Sequence, residues 1–461
     1  MARSKVRGAV KGVHKRNLFY YMIYPYVRSF FFMFYGKVEV VGLENIPRNE
    51  PVIFAPNHQN ALMDALILLF SQPGDVVFLA RADIFSNRVL AFFLNSMKML
   101  PVFRQRDGAA DLGKNTDIFD ISVDVLHNRH YLCVMPEGNH GHQRKLRTIV
   151  KGIFRIAFKA QEERGSRSFV KILPVGYDMG HYVKQNQTLL IQYGKPIEVS
   201  EYWEQYAENN ARGINAMKAR LAEEMLPLMI HIESEEFYET IMALKAMFNP
   251  QMREIMGIPG SRLMDRFTAD KELIARMDAL IERDSGPVRS LAGRVDAYTA
   301  GVKEHGIRDW VVRDRGYSMV CALWRYLSLL VTFPLFAVGF ITSALPYLLP
   351  GYLVRNIKDE QFHSSVKAGL GILLLFPLIY VLETLAFGLI SGLPWWGWLA
   401  FLVLLLPVGK AALIWYLRWK KTVRGSWFRR QLRRKKSHAW DLIALRKEIL
   451  SETEALMRQG H

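Results

Sequence analysis

Cysteine is scarce in this sequence. The 461-residue chain has two, Cys133 and Cys321, too few for a disulfide framework and too far apart for a metal pair at short spacing. The soluble part therefore reads as a protein of a reducing compartment. Cys133, within the apolar run Tyr131-Leu-Cys-Val-Met135, reads as a buried strand residue. Several motifs are also missing. There is no Walker-type loop, no Gly-rich dinucleotide turn and no Gly-x-Ser-x-Gly elbow, which argues against kinase, dehydrogenase and serine hydrolase chemistry. No internal repeat is present.

Acid is the scarcer charge. Sixty-one Lys and Arg face 43 Asp and Glu, a formal net charge of +18 that favours an anionic partner, nucleic acid or membrane. Zinc-finger spacing and the aromatic ribonucleoprotein motif are both absent, whereas long apolar runs are not. The balance favours the membrane, with no nucleic acid. The basic N-terminus leads into an aromatic segment, Asn17 to Tyr35. It holds Pro25 and Arg28 and no small-residue cleavage site follows, so residues 1–35 read as a basic arm and an interfacial helix, not as a signal peptide.

From 36 to 200 strands alternate with helices. Val38–Val41, Pro51–Phe54, Val76–Leu79, Leu100–Phe103, Tyr131–Met135, Ile172–Val175 and Leu189–Gln192 read as strands. Ala61–Phe70, Asp117–Asn128 and Lys151–Glu163 read as helices. That alternation predicts an α/β domain with a mostly parallel sheet flanked by helices, and ligands in such sheets bind beyond the carboxyl ends of the strands. Residues 201–325 are helical and charged. The expected helices are Asn210–Ile232, Tyr238–Phe248 and Lys271–Glu282, with breaks at Asn249-Pro250 and at Ile258-Pro-Gly260.

Residues 326–417 hold three apolar stretches, Tyr326–Leu353, Ala368–Ile390 and Trp395–Leu417, each near or above the ~20 residues that cross a bilayer. The expected result is a multi-pass C-terminal membrane part. Residues 418–461 form a basic tail whose Arg418–Lys436 run contains no acid, which places it in the cytoplasm beside anionic lipid. A cytoplasmic tail and a cytoplasmic catalytic domain require an even number of crossings. Tyr326–Leu353, interrupted by Pro334, Pro346 and Pro350, is therefore expected to enter the bilayer and return as a bent or re-entrant pair.

Four short motifs fall at strand ends. In Pro56-Asn57-His58-Gln59-Asn60-Ala61-Leu62-Met63-Asp64 a His on the turn after a strand precedes an Asp less than two helical turns on. The Asp can bond one imidazole nitrogen, fix the tautomer and stabilise the imidazolium. Such a pair also occurs as a purely structural cap. No Ser or Cys nucleophile stands nearby, so the pair suits deprotonation of a substrate alcohol. Arg104 and Arg106, after Leu100-Pro-Val-Phe103, are candidates for a phosphate clamp and are not ranked. Glu137-Gly138 follows the Tyr131–Met135 strand and brings a carboxylate and backbone N–H groups to the crevice. Pro174, in Ile172-Leu-Pro-Val-Gly176, lies on an apolar strand suited to wall an acyl or pantetheine channel. His140 and His142 lack a third ligand nearby and read as surface residues, so no metal site is expected.

In this order and spacing the four motifs resemble the lysophospholipid and glycerol-3-phosphate acyltransferase superfamily. The lead-in Val41-Gly-Leu-Glu-Asn-Ile-Pro47 and the trailing Gly194-Lys-Pro-Ile197 also fit. The resemblance makes 36–200 the catalytic domain. It implies His58 as general base, Asp64 as its orienting partner, and Arg104 or Arg106 with Glu137 and Gly138 as positioners of glycerol phosphate. The acyl donor it implies is acyl-CoA or acyl carrier protein, with no cofactor and no acyl-enzyme. The acceptor it implies is glycerol 3-phosphate or lysophosphatidic acid. Five residues separate His58 from Asp64 where the common form has four, and Asn139-His140 follows Glu-Gly where Thr-Arg or Ser-His is usual. The longer spacing and the layout are closest to fungal-type glycerol-phosphate/dihydroxyacetone-phosphate acyltransferases. Two other readings stand beside it: a phospholipid-remodelling or amino-lipid acyltransferase on the same fold, and a non-enzymatic membrane or nucleic-acid binding protein.

Overall fold

The computed structural model describes residues 13, 18–86, 88–103, 115–139, 141–182, 184–356, 363, 366–367 and 369–459. The chain divides into two compact units that meet in sequence at His231 and Ile232.

The first unit opens with helix α1, Leu18–Phe34. It continues β1 Lys37–Val41, β2 Val52–Pro56, α2 Ala61–Ser71, β3 Val76–Arg81, α3 Arg88–Ser96, β4 Met99–Val102, α4 Asn115–His127, β5 Tyr131–Cys133, α5 Gly152–Gln161, β6 Lys171–Met179, β7 Thr188–Tyr193, β8 Ile197–Glu198, α6 Trp203–Glu208 and α7 Asn210–Met225. The strands lie in the order β1-β7-β6-β2-β5-β3-β4, with β8 added to β6. Every pairing is parallel except β6 with β7 and β6 with β8. The sheet is thus mostly parallel, as the alternating pattern predicts, and each strand read from the sequence is present.

Apolar side chains cover both faces, which is why the central strands are apolar runs instead of alternating ones. On one face Ile53, Ala55, Leu132 and Ile172 join α4, α5 and α7 in a single core. On the other, Phe54 packs edge-on against Tyr131 and Tyr193, and Phe31 of α1 packs against Phe70 of α2. Helix α7 contributes Ile214, Met217, Leu221 and Met225 to that first core, and Tyr206 of α6 stacks on Phe158 at 4.0 Å. These helices pack within the first compact unit, which runs to His231. The helix expected over 210–232 stops at Met225, because Pro227 turns the next residues into a short 3-10 segment, Leu226–Leu228.

The second unit is helical: α8 Tyr238–Ile255, α9 Leu263–Arg283, α10 Gly286–Glu304, α11 Asp309–Arg313, α12 Met319–Val331, α13 Phe333–Leu353, α14 Phe376–Ser391, α15 Trp395–Arg433 and α16 Ser437–Gln459. Pro250 does not break α8. Asn249 Nδ2 donates to the Arg266 carbonyl at 2.8 Å and to Asp270 at 2.6 Å, so α9 holds the helix through the proline. Helix α16 is bonded to the other helices of this unit. Arg446 of α16 bonds Asp309 at 2.7 Å and Arg276 of α9 bonds the Met457 carbonyl at 2.7 Å.

Among the described residues three helices are long and apolar enough to cross a membrane: Phe333–Leu353, Gly369–Ser391 and Trp395–Arg433. The first apolar stretch is interrupted once, at Thr332 before Pro334, while Pro346 and Pro350 sit inside the unbroken α13.

Candidate active site

Strand β2 is buried along its whole length and delivers the chain to Asn57 at the carboxyl end of the sheet. Asn57 extends the strand pairing with its side chain: Nδ2 donates to the Tyr177 carbonyl at 3.2 Å, and the Tyr177 N–H donates to Oδ1 at 2.7 Å. His58 follows. Its Nδ1 lies 2.9 Å from Asp64 Oδ2, with the Asp64 side chain fully buried and the His58 side chain 15% exposed. The same Oδ2 accepts the backbone N–H groups of Gln59 and Asn60, each at 2.7 Å. A carboxylate only accepts, so Nδ1 carries the proton and Nε2 is the basic nitrogen. Beyond the turn, Tyr182 Oη donates to Gln59 Oε1 at 2.8 Å and Asn60 Nδ2 donates to the Tyr182 carbonyl at 2.7 Å. At the start of α2, between His58 and Asp64, Ala61 takes a φ of +41°.

The second turn belongs to the neighbouring strand. In the parallel β2–β5 register Phe54 pairs with Cys133, so His58 and Glu137 each stand four residues beyond a paired position. Glu137 is buried, and burial pushes its carboxyl above the ordinary value against the opposing pull of Arg147 and His58. Its Oε2 accepts from Arg147 Nε at 3.1 Å and from Arg147 Nη2, and its Oε1 accepts the Arg147 N–H at 3.4 Å. Arg147 Nη2 also donates to the His58 carbonyl at 2.8 Å and to the Asn139 carbonyl. Gly138 has a φ of +67°, and a Cβ there would meet Val150 at 3.2 Å, so the turn requires glycine.

His58, Asp64, Glu137 and Gly138 therefore converge. Pro174 lies on β6, opposite Ala55 of β2, and is buried within the sheet. Arg104, Arg106 and His140 lie outside the described residues; β4 ends at Val102. Reading the sequence missed the basic residues that follow the Glu-Gly turn. Arg147 bridges the two turns, while Arg144 is buried, binds Asp178 and the Met179 carbonyl, and lies over the Tyr182 ring at 5.4 Å. The signal was present as the Arg144-Lys-Leu-Arg147 cluster.

Residues 37–178 match the Acyltransferase family. This segment is an acyltransferase domain. The matched span contains His58, Asp64, Glu137, Gly138, Arg147 and Pro174. Over 124 residues, 27% of this chain, it is 25% identical to the chloroplastic 1-acyl-sn-glycerol-3-phosphate acyltransferase LPAT1 of Arabidopsis thaliana, and the match takes in 33% of that protein. The crystal structure of the 1-acyl-sn-glycerophosphate (LPA) acyltransferase PlsC from Thermotoga maritima aligns with 43% of this chain and 79% of its own, at 21% identity and a TM-score of 0.30. Within the acyltransferase domain the two turns that carry His58 and Glu137 are tied together by Arg147 and by the Gly141 N–H, which donates to the His58 carbonyl at 3.4 Å.

Proposed function

We propose that this chain is a membrane-bound O-acyltransferase that moves a fatty acyl group from acyl-CoA or acyl carrier protein to a hydroxyl of glycerol 3-phosphate or lysophosphatidic acid. The observation that carries the reading is the His58–Asp64 pair, at 2.9 Å, on the carboxyl edge of an acyltransferase domain. His58 Nε2 takes the proton of the acceptor hydroxyl as its oxygen attacks the thioester carbonyl. Asp64 stabilises the imidazolium that forms. The carbon–sulfur bond then breaks and the proton passes to the leaving thiolate, giving the ester and a free thiol. No acyl-enzyme is needed. Arg104 or Arg106 adds a contact to the acceptor phosphate, and the apolar strand that carries Pro174 borders the acyl path.

The membrane part of the reading rests on the three apolar helices and on the basic end of α15. That helix has 39 residues, about 58 Å at ~1.5 Å per residue, against ~30 Å of hydrocarbon. Its Arg- and Lys-rich end therefore reaches past the hydrocarbon to anionic headgroups on the cytoplasmic side, where the acyl donor is. Helix α1 lies at the interface, presenting exposed Leu18 and Met22.

Purified protein offered glycerol 3-phosphate and lysophosphatidic acid, each with palmitoyl-CoA and with palmitoyl carrier protein, tests the reading and identifies the pair used. Failure to form an acylated product in any of the four mixtures would overturn it.

A further inference from the structure

Asp64 Oδ1 on α2 and Tyr177 Oη on β6 are both buried, and neither has a hydrogen-bond partner among the described residues. The contacts of α2 bring the two side chains into one layer. At its start Asn60 Nδ2 donates to Met179 Sδ at 3.9 Å, and at its end Ser71 Oγ meets Tyr193 Oη at 2.6 Å. Tyr193 is paired with Val175 across the sheet. Side chains at 175, 177 and 179 share one face of β6, because successive strand residues alternate. Tyr177 stands between the two positions that the ends of α2 mark. Its ring therefore lies beneath the middle of that helix, on the side where Asp64 is buried.

From neighbouring elements Asp64 is faced by Tyr35 after α1, Cys133 on β5 and Tyr177. The Tyr35 hydroxyl is on Met179 Sδ at 3.8 Å, and a thiol is a weak donor. Tyr177 is the strong donor that remains. Burial pushes its hydroxyl well above the ordinary value, so it keeps its proton. A buried O–H and a buried carboxylate oxygen, each without a protein partner, form the kind of polar site that an ordered water fills.

We propose that Tyr177 is a positioning residue of the His58–Asp64 pair, its hydroxyl donating through one internal water to Asp64 Oδ1. The link holds the carboxylate plane so that Oδ2 points at the ring. It also draws negative charge toward Oδ1, away from the oxygen that stabilises the imidazolium. The part this plays in turnover rests on the acyltransferase reading.

Tyr177→Phe in the full-length protein removes only the hydroxyl. Loss of the link should lower the melting temperature by a few degrees, whereas removing a hydroxyl with no partner of any kind would raise it. The acidic limb of the kcat/KM profile, where the base loses its proton, should move to higher pH by up to about one unit, tenfold in ionisation constant, because Oδ2 regains charge. A hydroxyl that only packs would change the height of the profile and leave its position alone. 3-Fluorotyrosine at 177, a stronger donor of nearly the same shape, should move the limb the opposite way and decides the matter where the Phe variant does not fold. A higher melting temperature in Tyr177→Phe, or a limb that stays in place in the folded variants, would overturn the proposal. A wild-type chain that transfers no acyl group would remove the acyltransferase reading, and stability alone would then decide the link. Tyr177→Phe should lower the melting temperature less in an Asp64→Asn background than in wild type, and an equal drop in both would overturn it.

Discussion

Asp64 Oδ2 stands 2.9 Å from His58 Nδ1 while accepting two further backbone N–H groups, so a single carboxylate oxygen both closes the turn and orients the ring. Its partner Oδ1 is buried and has no hydrogen-bond partner among the described residues. An Asn at 64 therefore has two poor choices. It can turn its NH₂ toward three donors, or bury that NH₂ at the Oδ1 position, where no described residue bonds it, at a cost of ~1–3 kcal/mol. His58→Ala should lower kcat by the ~10²–10⁴-fold typical of general-base catalysis with the fold intact. Asp64→Asn should be severely impaired in turnover and also melt earlier. Circular dichroism and steady-state turnover check both, and near-normal turnover of His58→Ala would remove the ring from the mechanism.

The bend at Ala61 is a second lever. A φ of +41° is unfavourable for a residue with a Cβ and worse for a β-branched one. Ala61→Val should destabilise by about 1–3 kcal/mol and reduce turnover, because the strain relaxes into the His58–Asp64 turn. Ala61→Gly should melt no lower than wild type. Wild-type stability and turnover in Ala61→Val would show that the bend is not required.

Most of this architecture was readable in advance, and the remainder was hidden for identifiable reasons. Val52–Pro56 and Tyr131–Cys133 are apolar runs bounded by turns, so their strands, and the placement of His58 and Glu137 beyond them, follow from local pattern. Arg147 was hidden because a cation in a basic run looks like a solvated one, and its partners Glu137 and His58 are 10 and 89 residues away. Asn57 and Asn60 read as turn residues, but their partners Tyr177 and Tyr182 lie about 120 positions on. Pro250 and Pro346 read as breaks because the local cost of proline is visible in sequence and the packing that offsets it is not.

Glu137 also makes a prediction about pH. Burial raises its folded pKa, so the folded state binds this proton more tightly than the unfolded state does. Stability from this group is full below the ordinary glutamate value of about 4.3 and is lost as pH rises through the raised folded value. Glu137→Gln cannot titrate. The stability of wild type relative to Glu137→Gln should therefore fall across that window and level off above it. Denaturant midpoints of the two proteins, measured from pH 4 upward, check the sign, and a difference that grew in favour of wild type with rising pH would contradict it.

The last prediction concerns the membrane. The Tyr317 N–H donates to the Gly425 carbonyl at 3.4 Å, and Arg325 Nε donates to Thr422 Oγ1 at 3.1 Å. The stretch that enters α12 thus lies beside the stretch that leaves the apolar part of α15. Both ends of the apolar region are then expected to face one side of a bilayer, with an even number of full crossings between them. Three helices among the described residues are candidates, so one is expected not to cross. Helices α14 and α15 form the better pair. Phe387 stacks on Phe401 at 4.2 Å, and the Gly392-Leu-Pro394 turn between them carries no charge. That leaves α13. Its Ser343 Oγ meets Tyr380 Oη at 3.0 Å, and a Cβ on Gly371, at the start of the α14 segment, would lie 3.6 Å from Pro346 and Pro350. Because α14 runs from there toward the Gly392 turn, its start lies on the side of the α15 basic end, and the last turns of α13 pack at that start. Arg355, over the Tyr352 ring at 5.2 Å, then sits at headgroup level. The expected topology is a two-helix hairpin with α13 entering and ending on the face from which it came. Single cysteines at 320, 356 and 393, in a background without Cys133 and Cys321, test this by thiol labelling in intact vesicles. Positions 320 and 356 should label from one face and 393 from the other; labelling of 320 and 356 from opposite faces would mean that α13 crosses.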